Sequence, residues 1–360
     1  MRDLVIQSHR GPYRVRFGTA FEGLDALGPR AMVIVDTRVA DLYADRLAGP
    51  MAASSTLRIE ATELNKSLER MPEYVLHLLD HGLRRDCTLV AVGGGIIQDI
   101  VCFIAATVMR GLPWTFYPTT LLAQADSCIG SKSSINVGPF KNQLGTFTPP
   151  TDILVSTDVL DTLDEADLRS GLGEVIKVHV VSGGDDVRAL ARDYSRLATD
   201  RPLVRHYIRR SLEIKQVRIE ADEFDTGVRL VLNYGHTFGH AIESATHYAV
   251  PHGIAVTIGM DFANFVSWKF GLLDRSTFEF LHELLAANCG AFATVPIPDG
   301  AFFDALARDK KHSGSVLSLV LLRGPGDVFL DRYPNDDRFR DICREFLAEL
   351  PAQAAGRPVA

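Results

Sequence analysis

The chain has 360 residues, of which 46% are hydrophobic and 23% charged, an ordinary globular profile for one large or two smaller domains. A net charge of −7 argues against a nucleic-acid partner. No apolar run approaches the roughly 18–20 residues needed to span a bilayer, the start is polar, and the five cysteines lack paired spacing. These features predict a cytoplasmic protein with free thiols and no membrane partner.

The first half of the sequence alternates short β-branched runs with helical patterns. The predicted strands lie at residues 30–36, 88–92, 114–118 and 152–156. Such alternation is typical of a parallel sheet with crossover helices, and continuously apolar strands indicate a sheet that is covered on both faces. We therefore predict an α/β nucleotide-binding domain over residues 1–163.

The second half of the sequence is mostly helical in pattern. The predicted helices lie at residues 164–181, 202–224, 233–248 and 253–273. Residues 316–330 have the pattern of two strands, and the Gly-Pro-Gly around Pro325 predicts a hairpin turn between them. We predict a mainly α-helical domain over residues 164–350. The small, proline-bearing stretch 351–360 predicts a disordered tail.

Three consecutive glycines, Gly93, Gly94 and Gly95, stand between a predicted strand and a predicted helix. Glycines there let backbone N–H groups approach a phosphate, and the helix dipole favours an anion. The stretch lacks the third glycine position of GxGxxG, so a plain tight turn is the alternative. Because strands and helices alternate around it, we favour binding of a dinucleotide pyrophosphate.

A loop-like stretch that also contains glycine carries Lys132, Asn136, Lys141 and Asn142. Basic and amide groups in such a loop suit an anionic substrate such as a phosphate. The alternative is a solvated surface loop. Asp126, six residues before Lys132, is a candidate ion-pair partner for this lysine.

Two histidines stand one helical turn apart in the segment LNYGHTFGHAIE, so His236 and His240 share a helix face. This spacing suggests a metal site, but the HExxH pattern is absent. His247 and His252 follow and are further candidates. The spacing alone leaves open which of these histidines bind a metal and which pack or face solvent.

A candidate acidic ligand lies earlier in the chain, where Glu174 and Lys177 stand one turn apart in a predicted helix. Such pairs usually form surface salt bridges. Glu174 has apolar neighbours in sequence, which argues against an open surface. One carboxylate with two imidazoles is a usual open ligand set for catalytic zinc.

Six blocks of sequence are individually rare and stand in a definite order. They read GGGIIQD, PTTLLAQADSCIGSK, KNQLG, GLGEVIK, LNYGHTFGHAIE and HGIAVTIGM. Together they resemble the sugar-phosphate cyclases, most closely the 3-dehydroquinate synthases. The resemblance implies an NAD-binding α/β domain followed by a helical metal-binding domain. It also implies that Glu174, His236 and His252 hold Zn²⁺ or Co²⁺.

The resemblance assigns further roles by position. The implied NAD contacts are Asp36, Glu63, Lys66, Gly93, Gly94, Gly95, Asp99, Thr119 and Thr120. The implied catalytic residues are Asp126, Lys132, Lys177, Lys215 and His240, the last of which meets the substrate's phosphate end. The implied substrate contacts are Lys141, Asn142, Arg229, Asn233 and one of Lys310 and Lys311. Arg110 resembles a substrate-binding arginine that reaches into the neighbouring subunit's site, which implies a homodimer.

The implied activity is that of a carbon–oxygen lyase in the shikimate pathway of aromatic amino acid biosynthesis. Such an enzyme converts 3-deoxy-D-arabino-heptulosonate 7-phosphate, a seven-carbon sugar phosphate, to 3-dehydroquinate and phosphate while NAD is recycled.

Two departures from the family pattern leave the substrate open, because Gln98 stands where glycine is usual and GSKSSIN where GGKTGVN is usual. A valiolone-type cyclase of sedoheptulose 7-phosphate is therefore one alternative. An iron-type alcohol dehydrogenase is another, since it shares the two-domain plan, but it would not need cations such as Lys132, Lys215 and Arg229. A homologue that binds a nucleotide without catalysis is a third.

Overall fold

The computed structural model describes residues 2–53, 55–138, 140–308 and 316–354. The strands are β1 (Leu4–Ile6), β2 (Tyr13–Phe17), β3 (Ala31–Asp36), β4 (Ser55–Ile59), β5 (Thr88–Gly93), β6 (Trp114–Pro118), β7 (Ile135–Val137), β8 (Phe140–Leu144), β9 (Asp152–Val155), β10 (Val316–Gly324) and β11 (Asp327–Pro334). The helices are α1 (Thr37–Leu42), α2 (Ala44–Ala53), α3 (Met71–Asp80), α4 (Gly95–Thr107), α5 (Glu165–Ser182), α6 (Gly184–Asp193), α7 (Arg201–Ala221), α8 (His236–Ala245), α9 (His252–Lys269), α10 (Arg275–Cys289), α11 (Asp299–Ala307) and α12 (Asp337–Ala354).

A seven-stranded sheet forms the centre of the N-terminal region, in the order β1-β2-β9-β6-β5-β3-β4. All neighbouring pairs are parallel except β1 with β2 at one edge. The four predicted strands correspond to β3, β5, β6 and β9, four of the five inner strands of this sheet. β3 and β5 are buried along nearly their whole length, as expected for parallel strands that are covered on both faces. The α/β class predicted for this region is thereby confirmed.

The chain divides into two compact units. The first unit comprises Met1–Leu163 and Ile208–Phe224, and the second comprises Asp164–Tyr207 and Asp225–Ala360. Residues 208–224, which the sequence analysis grouped with the helical domain, therefore belong to the first unit. This part of α7 is bound to the first strand, because Gln216 Nε2 donates a hydrogen bond to the Val5 carbonyl at 2.9 Å. A helical pattern shows which face is buried but not which domain buries it.

The second unit is mainly helical, and α9 lies at its centre with fifteen consecutive buried residues from Gly253 to Ser267. Aromatic rings pack around this helix, including Phe238 stacked on Phe262 with centroids 4.4 Å apart. The predicted hairpin is present as the antiparallel pair β10–β11. Helix α12 continues to Ala354, four residues into the predicted tail, where alanine and glutamine favour helix. Residues 355–360 lie outside the described part of the chain.

No single helix among the described residues is both long and apolar enough to cross a membrane. The pair Arg275–Thr294 and Asp299–Ala307 meets that test of length and composition jointly, but its two segments are bent by 118°.

Candidate active site

A cluster of one carboxylate and two imidazoles lies in the second unit. Glu174 is contributed by the middle of α5, and His236 and His252 are the first residues of α8 and α9. Glu174 Oε1 lies 3.8 Å from His236 Nε2 and 3.5 Å from His252 Nε2. Around a tetrahedral zinc ion with bonds near 2.0–2.1 Å, neighbouring donor atoms are about 3.3 Å apart. These residues therefore fit a divalent ion in donor type and in spacing.

Close helix packing through glycines brings the three residues together. A Cβ added to Gly173 would collide with the Gly253 carbonyl, and one added to Gly253 would collide with the Ser170 carbonyl. A Cβ at Gly259 would in the same way meet the Gly235 carbonyl, just before His236. Because the backbones of α5, α8 and α9 approach this closely, side chains at neighbouring positions can share one site.

Electrostatic pairing keeps Glu174 ionised although it is only 1% exposed. Its carboxylate forms an ion pair with the Lys177 ammonium, which is 3% exposed. Burial alone would raise the pKa of Glu174, but Lys177 and His252 outweigh burial and hold that pKa well below its usual range. Burial likewise disfavours a charged imidazole, yet the Glu243 and Glu174 carboxylates raise the pKa of His252 to about 10. The cluster thus favours a positive charge at this point.

The remaining histidines of the segment lie differently. His240 is exposed on the next turn of α8, and a ligand atom of His240 lies within 4.8 Å of those of Glu243 and His252. This second group shares His252 with the first. His247 is exposed beyond the end of α8 and belongs to neither group of close ligand atoms in the described part of the chain.

In the first unit, the glycine triplet lies at the carboxyl end of β5, as predicted. A Cβ added to Gly94 would lie 2.9 Å from Thr120 Cγ2, and one added to Gly93 would lie 2.6 Å from Ile97 Cγ1. Thr119 follows the neighbouring strand β6, and its N–H donates to the Gly93 carbonyl at 2.9 Å. The carboxyl ends of adjacent parallel strands form the edge where α/β sheets bind ligands.

Asp36 ends strand β3 at the same edge of the sheet. Its carboxylate accepts a hydrogen bond from Arg38 N at 3.0 Å and so caps α1. Burial raises the pKa of this carboxyl despite that hydrogen bond. An acid at the end of the strand next to a glycine-rich turn is the position that a dinucleotide's ribose occupies in α/β folds.

A hydrogen-bonded network joins the predicted cofactor residues to the predicted substrate loop. The buried Lys66 Nζ donates to Asp99 Oδ2 at 3.1 Å and to Asn142 Oδ1 at 3.1 Å. Asp99 also accepts from Ser134 Oγ at 2.7 Å. Lys141 Nζ lies 3.5 Å from Glu63 Oε1. Residues far apart in sequence are thus held in one connected group within the first unit.

Asn136 is a member of this network that the sequence analysis placed in the loop without assigning it a role. Its Nδ2 donates to Glu63 Oε2 at 2.9 Å and to the Glu63 carbonyl at 3.0 Å. Its Oδ1 accepts from Asn142 N at 2.9 Å, where Asn142 has φ 54°. Asn136 is buried, so these bonds fix the backbone around both partners. The sequence did not predict the contact between Asn136 and Glu63, because the two residues are distant in sequence and meet only in the folded chain.

Asp126 lies in a π-helical turn, Ala123–Ser127, and is paired with Lys215 of α7. Lys215 Nζ lies 2.7 Å from Asp126 Oδ1 and also donates to the Asp126 carbonyl. The sequence analysis assigned both residues to catalysis but considered only Lys132 as the partner of Asp126. Lys132 itself is exposed, and its backbone forms an isolated bridge with Phe147.

The sequence matches known proteins along most of its length. The family model described as 3-dehydroquinate synthase N-terminal matches residues 56–170, and that described as 3-dehydroquinate synthase C-terminal matches residues 171–312. A 3-dehydroquinate synthase of Acidithiobacillus ferrooxidans is 36% identical over 343 residues, which cover 92% of this chain and 94% of that protein. The chain belongs to the 3-dehydroquinate synthase family.

Solved structures agree with this family assignment. A 2-epi-5-epi-valiolone synthase from Streptomyces hygroscopicus subsp. jinggangensis 5008, with NAD⁺ and Zn²⁺ bound, is 28% identical with a TM-score of 0.80, covering 95% of this chain and 97% of that one. A 2-deoxy-scyllo-inosose synthase complexed with carbaglucose-6-phosphate, NAD⁺ and Co²⁺ has a TM-score of 0.86 at 23% identity and covers 97% and 100%. The second likeness concerns the fold. The predicted family and fold class are thus confirmed.

One departure from the 3-dehydroquinate synthase pattern is compensated within the chain. Gln98, which stands where the family usually has glycine, is buried on α4. Its Nε2 donates to the Ser127 carbonyl at 2.6 Å, and Ser127 Oγ donates to Gln98 Oε1 at 2.6 Å. The extra side chain therefore has both polar ends satisfied, one turn from the glycine triplet.

The other predicted substrate residues of this family member lie in varied surroundings. Arg229 is buried in the short helical turn Val228–Asn233, and Asn233 Nδ2 donates to the Leu230 carbonyl at 3.1 Å. Arg110 is exposed at the end of another short helical turn. Lys310 and Lys311 lie outside the described residues.

The five cysteines are free and buried. Burial raises the pKa of Cys128, two residues from Asp126, to about 12. A thiol with so high a pKa is a poor nucleophile at neutral pH.

Proposed function

We propose that this chain is a 3-dehydroquinate synthase, an NAD- and divalent-metal-dependent lyase that cyclises 3-deoxy-D-arabino-heptulosonate 7-phosphate to 3-dehydroquinate with release of phosphate. The observation that carries the proposal is the cluster of the buried Glu174 with His236 and His252, in a chain that aligns along 92% of its length with a 3-dehydroquinate synthase. We further propose that it works in the cytoplasm, where the free thiols would stay reduced.

In the second unit, the metal ligands of this proposal are Glu174, His236 and His252. A divalent ion held by these three residues would supply polarisation of a substrate oxygen, and a bound NAD⁺ would supply reversible hydride transfer. Lys177 keeps Glu174 in its anionic form, which a cation requires of a carboxylate ligand. His240, exposed one turn from His236, is the proposed contact for the substrate phosphate.

In the first unit, the glycine triplet and Asp36 are proposed to bind the NAD pyrophosphate and ribose. Gly94 supports this role because the space where its Cβ would lie is already limited by Thr120. The exposed Lys132 and Asn142 supply donors for an anionic substrate. The Lys215–Asp126 pair holds a buried proton donor beside a carboxylate, an arrangement suited to moving or holding a proton.

The buried Arg229 supports the carboxylated substrate over its alternative. A guanidinium binds a carboxylate through two parallel charge-assisted hydrogen bonds, and sedoheptulose 7-phosphate has no carboxylate. If about 3 kcal/mol depends on that contact, the carboxylated sugar is preferred by roughly a hundredfold.

The test is kcat/KM for both sugar phosphates with the intact enzyme and with Arg229→Ala. We expect Arg229→Ala to remove most of the preference. Turnover of sedoheptulose 7-phosphate alone by the intact enzyme would refute the proposed substrate and leave a valiolone-type cyclase. An iron-type alcohol dehydrogenase would instead build up NADH in proportion to turnover, whereas the proposed enzyme releases phosphate without net NADH.

The homodimer implied by Arg110 is also a proposal. Its guanidinium has no hydrogen-bond or ion-pair partner among the described residues. Its backbone has φ 67° and follows Met109 with φ 51°, a strained pair of the kind that clusters at functional sites. It lines an open cleft of about 420 Å³ together with Arg10. These features suit an arginine that acts on a second copy of the chain.

Mixing two inactive variants tests this homodimer. If Arg110 serves the partner's site, Arg110→Ala and Glu174→Gln subunits together regain activity, because each mixed dimer contains one intact site. Random pairing predicts about a quarter of the parent activity. A mixture as inactive as its components, although light scattering shows mixed dimers, would contradict the proposal.

A further inference from the structure

The described residues of the second unit include two overlapping groups of possible metal ligands, and the relation between these groups decides the role of Glu243. The groups are Glu174, His236 and His252, and His240, Glu243 and His252. An imidazole that binds a metal through one nitrogen commonly donates from its other nitrogen to a carboxylate or carbonyl. The shared histidine can therefore belong to one metal site and still contact both groups.

The two nitrogens of His252 face different carboxylates. Nε2 lies 3.5 Å from Glu174 Oε1, and Nδ1 lies 3.1 Å from Glu243 Oε2. The second distance is within hydrogen-bonding range, and an ionised carboxylate can only accept. In the neutral imidazole Nδ1 must then be the donor, and Nε2 presents its lone pair toward Glu174. This is the tautomer that ligation through Nε2 requires.

His236 repeats the same arrangement with a different acceptor. Its Nδ1 lies 3.2 Å from the Tyr234 carbonyl, which can only accept, and its Nε2 faces Glu174 Oε1 at 3.8 Å. In both imidazoles, a hydrogen bond from Nδ1, on the side of the ring away from Glu174, thus holds the orientation of the ring. In each case the atom directed toward Glu174 is Nε2.

Glu243 is well placed to hold His252 in this way. It lies on α8 seven residues after His236, which puts both on one face of the helix. Its side chain is 11% exposed, whereas that of His252 is 38% exposed and has the greater freedom to rotate. A buried acceptor on a rigid helix limits that rotation.

We propose that Glu243 is a positioning residue that fixes the tautomer and orientation of His252, and that it is not itself a metal ligand. The inference rests on the proposed metal-binding function of Glu174, His236 and His252. According to this inference, the two overlapping groups together bind one metal ion per chain.

The experiment measures zinc affinity of the metal-stripped chain by competition with a chromophoric chelator. Glu243→Leu has a side chain of similar size without a hydrogen-bond acceptor, and we expect the zinc affinity of this variant to fall about 10–100-fold. Glu243→Gln keeps an acceptor oxygen, and its affinity should stay within about threefold of the parent, because a neutral amide still accepts the Nδ1 proton. Glu279→Leu, an exposed residue of α10 that pairs with Arg275, is the matched control and should behave as the parent.

Each other outcome is informative. Parent-like affinity in Glu243→Leu would overturn the inference. Loss of zinc from Glu243→Gln and from His240→Ala, or two zinc ions per parent chain, would show that Glu243 is a ligand. If Glu243→Leu does not fold, Glu243→Asp replaces it, since the shortened side chain withdraws the acceptor and should weaken zinc binding. A parent chain that binds no zinc would instead refute the proposed function.

Discussion

The two units hold their candidate residues in opposite ways. In the second unit, Glu174 Oε1 and two imidazole Nε2 atoms face one another at 3.5 and 3.8 Å, and both Nδ1 atoms are directed toward other acceptors. When the imidazoles are neutral, three atoms that can bind a metal therefore converge. In the first unit, donors meet acceptors directly, as in Lys66 with Asp99 at 3.1 Å and Lys215 with Asp126 at 2.7 Å. These charges already have partners within the chain.

The two arrangements should respond differently to the substitution of one residue. The proposed metal site needs all three ligand atoms to hold its ion, so zinc binding there should depend on each member. A network of complementary pairs is stable without a ligand, and the loss of one member leaves the other bonds in place. We therefore expect abrupt losses from changes in the cluster and graded losses from changes in the network.

The largest effect is expected at Glu174. Glu174→Gln should abolish zinc binding and slow phosphate release on the order of a thousandfold, as ~4 kcal/mol of lost stabilisation would give. The change also leaves the buried Lys177 ammonium without its partner, so the free energy of unfolding should fall by about 3–5 kcal/mol. Zinc content, phosphate release and urea denaturation measure these effects separately.

The matched control for this variant is Glu165→Gln, the same change on the same helix at an exposed residue paired with Arg169. Adding Lys177→Met to Glu174→Gln should restore part of the stability without restoring zinc, because it removes the unpaired buried charge. Full zinc content in Glu174→Gln would show that the cluster does not need each of its members, which contradicts the expected difference between abrupt and graded losses.

A smaller, graded effect is expected in the network at Asn136. Asn136→Ala removes the hydrogen bonds that this buried amide makes with Glu63 and with the Asn142 N–H, which should cost about 1–3 kcal/mol. The KM for NAD and the KM for the sugar phosphate should each rise about tenfold, with a smaller change in kcat, because positioning is lost but no proposed catalytic group is removed. Steady-state kinetics with each substrate varied in turn gives both values.

Gln143→Ala is the control for Asn136, since it removes an exposed amide from the same β7–β8 hairpin. A thousandfold fall in kcat for Asn136→Ala would place Asn136 in the chemistry and contradict the graded behaviour. Unchanged KM values for both substrates would show that the network does not position either one.

The smallest effect is expected at Glu223, where several hydrogen-bond donors surround a carboxylate and His9 Nδ1 lies 3.0 Å from Oε1. It accepts hydrogen bonds from Ser8 Oγ at 2.6 Å, His9 N at 2.8 Å and Ser131 Oγ at 2.9 Å. Burial would raise the pKa of Glu223, but these bonds outweigh burial and lower it. The charged form therefore stabilises the fold above the unfolded-state pKa of about 4.3, and this contribution is lost as the pH falls through the lower folded-state pKa.

Glu223→Gln should accordingly lower the free energy of unfolding by about 1 kcal/mol at pH 7, with the difference from the parent shrinking below about pH 4. Urea denaturation across this pH range measures it, with Glu220→Gln, at an exposed residue near the end of α7, as the control. A difference that grows as the pH falls would have the wrong sign for this account.

Local patterns in the sequence were enough to predict much of the fold. The β-branched runs predicted β3, β5, β6 and β9, because a strand buried on both faces must be apolar throughout. The period of the second half predicted its long helices, and Pro325 with its flanking glycines predicted the hairpin turn. The family blocks named Glu174, His236 and His252, which stay a proposed ligand set, because their spacing alone left four histidines open.

Tertiary structure alone decided which groups meet. Residues 208–224 join the first unit and bring Lys215 to Asp126, 89 positions away in sequence. Asn136 reaches Glu63, and Glu243 reaches His252, through side-chain hydrogen bonds between separate segments. Such contacts depend on how helices and strands pack against one another. That packing is determined by all the buried surfaces together and by the glycines at which helices approach closely. Hydrophobic period and residue spacing report only what each segment does along its own axis.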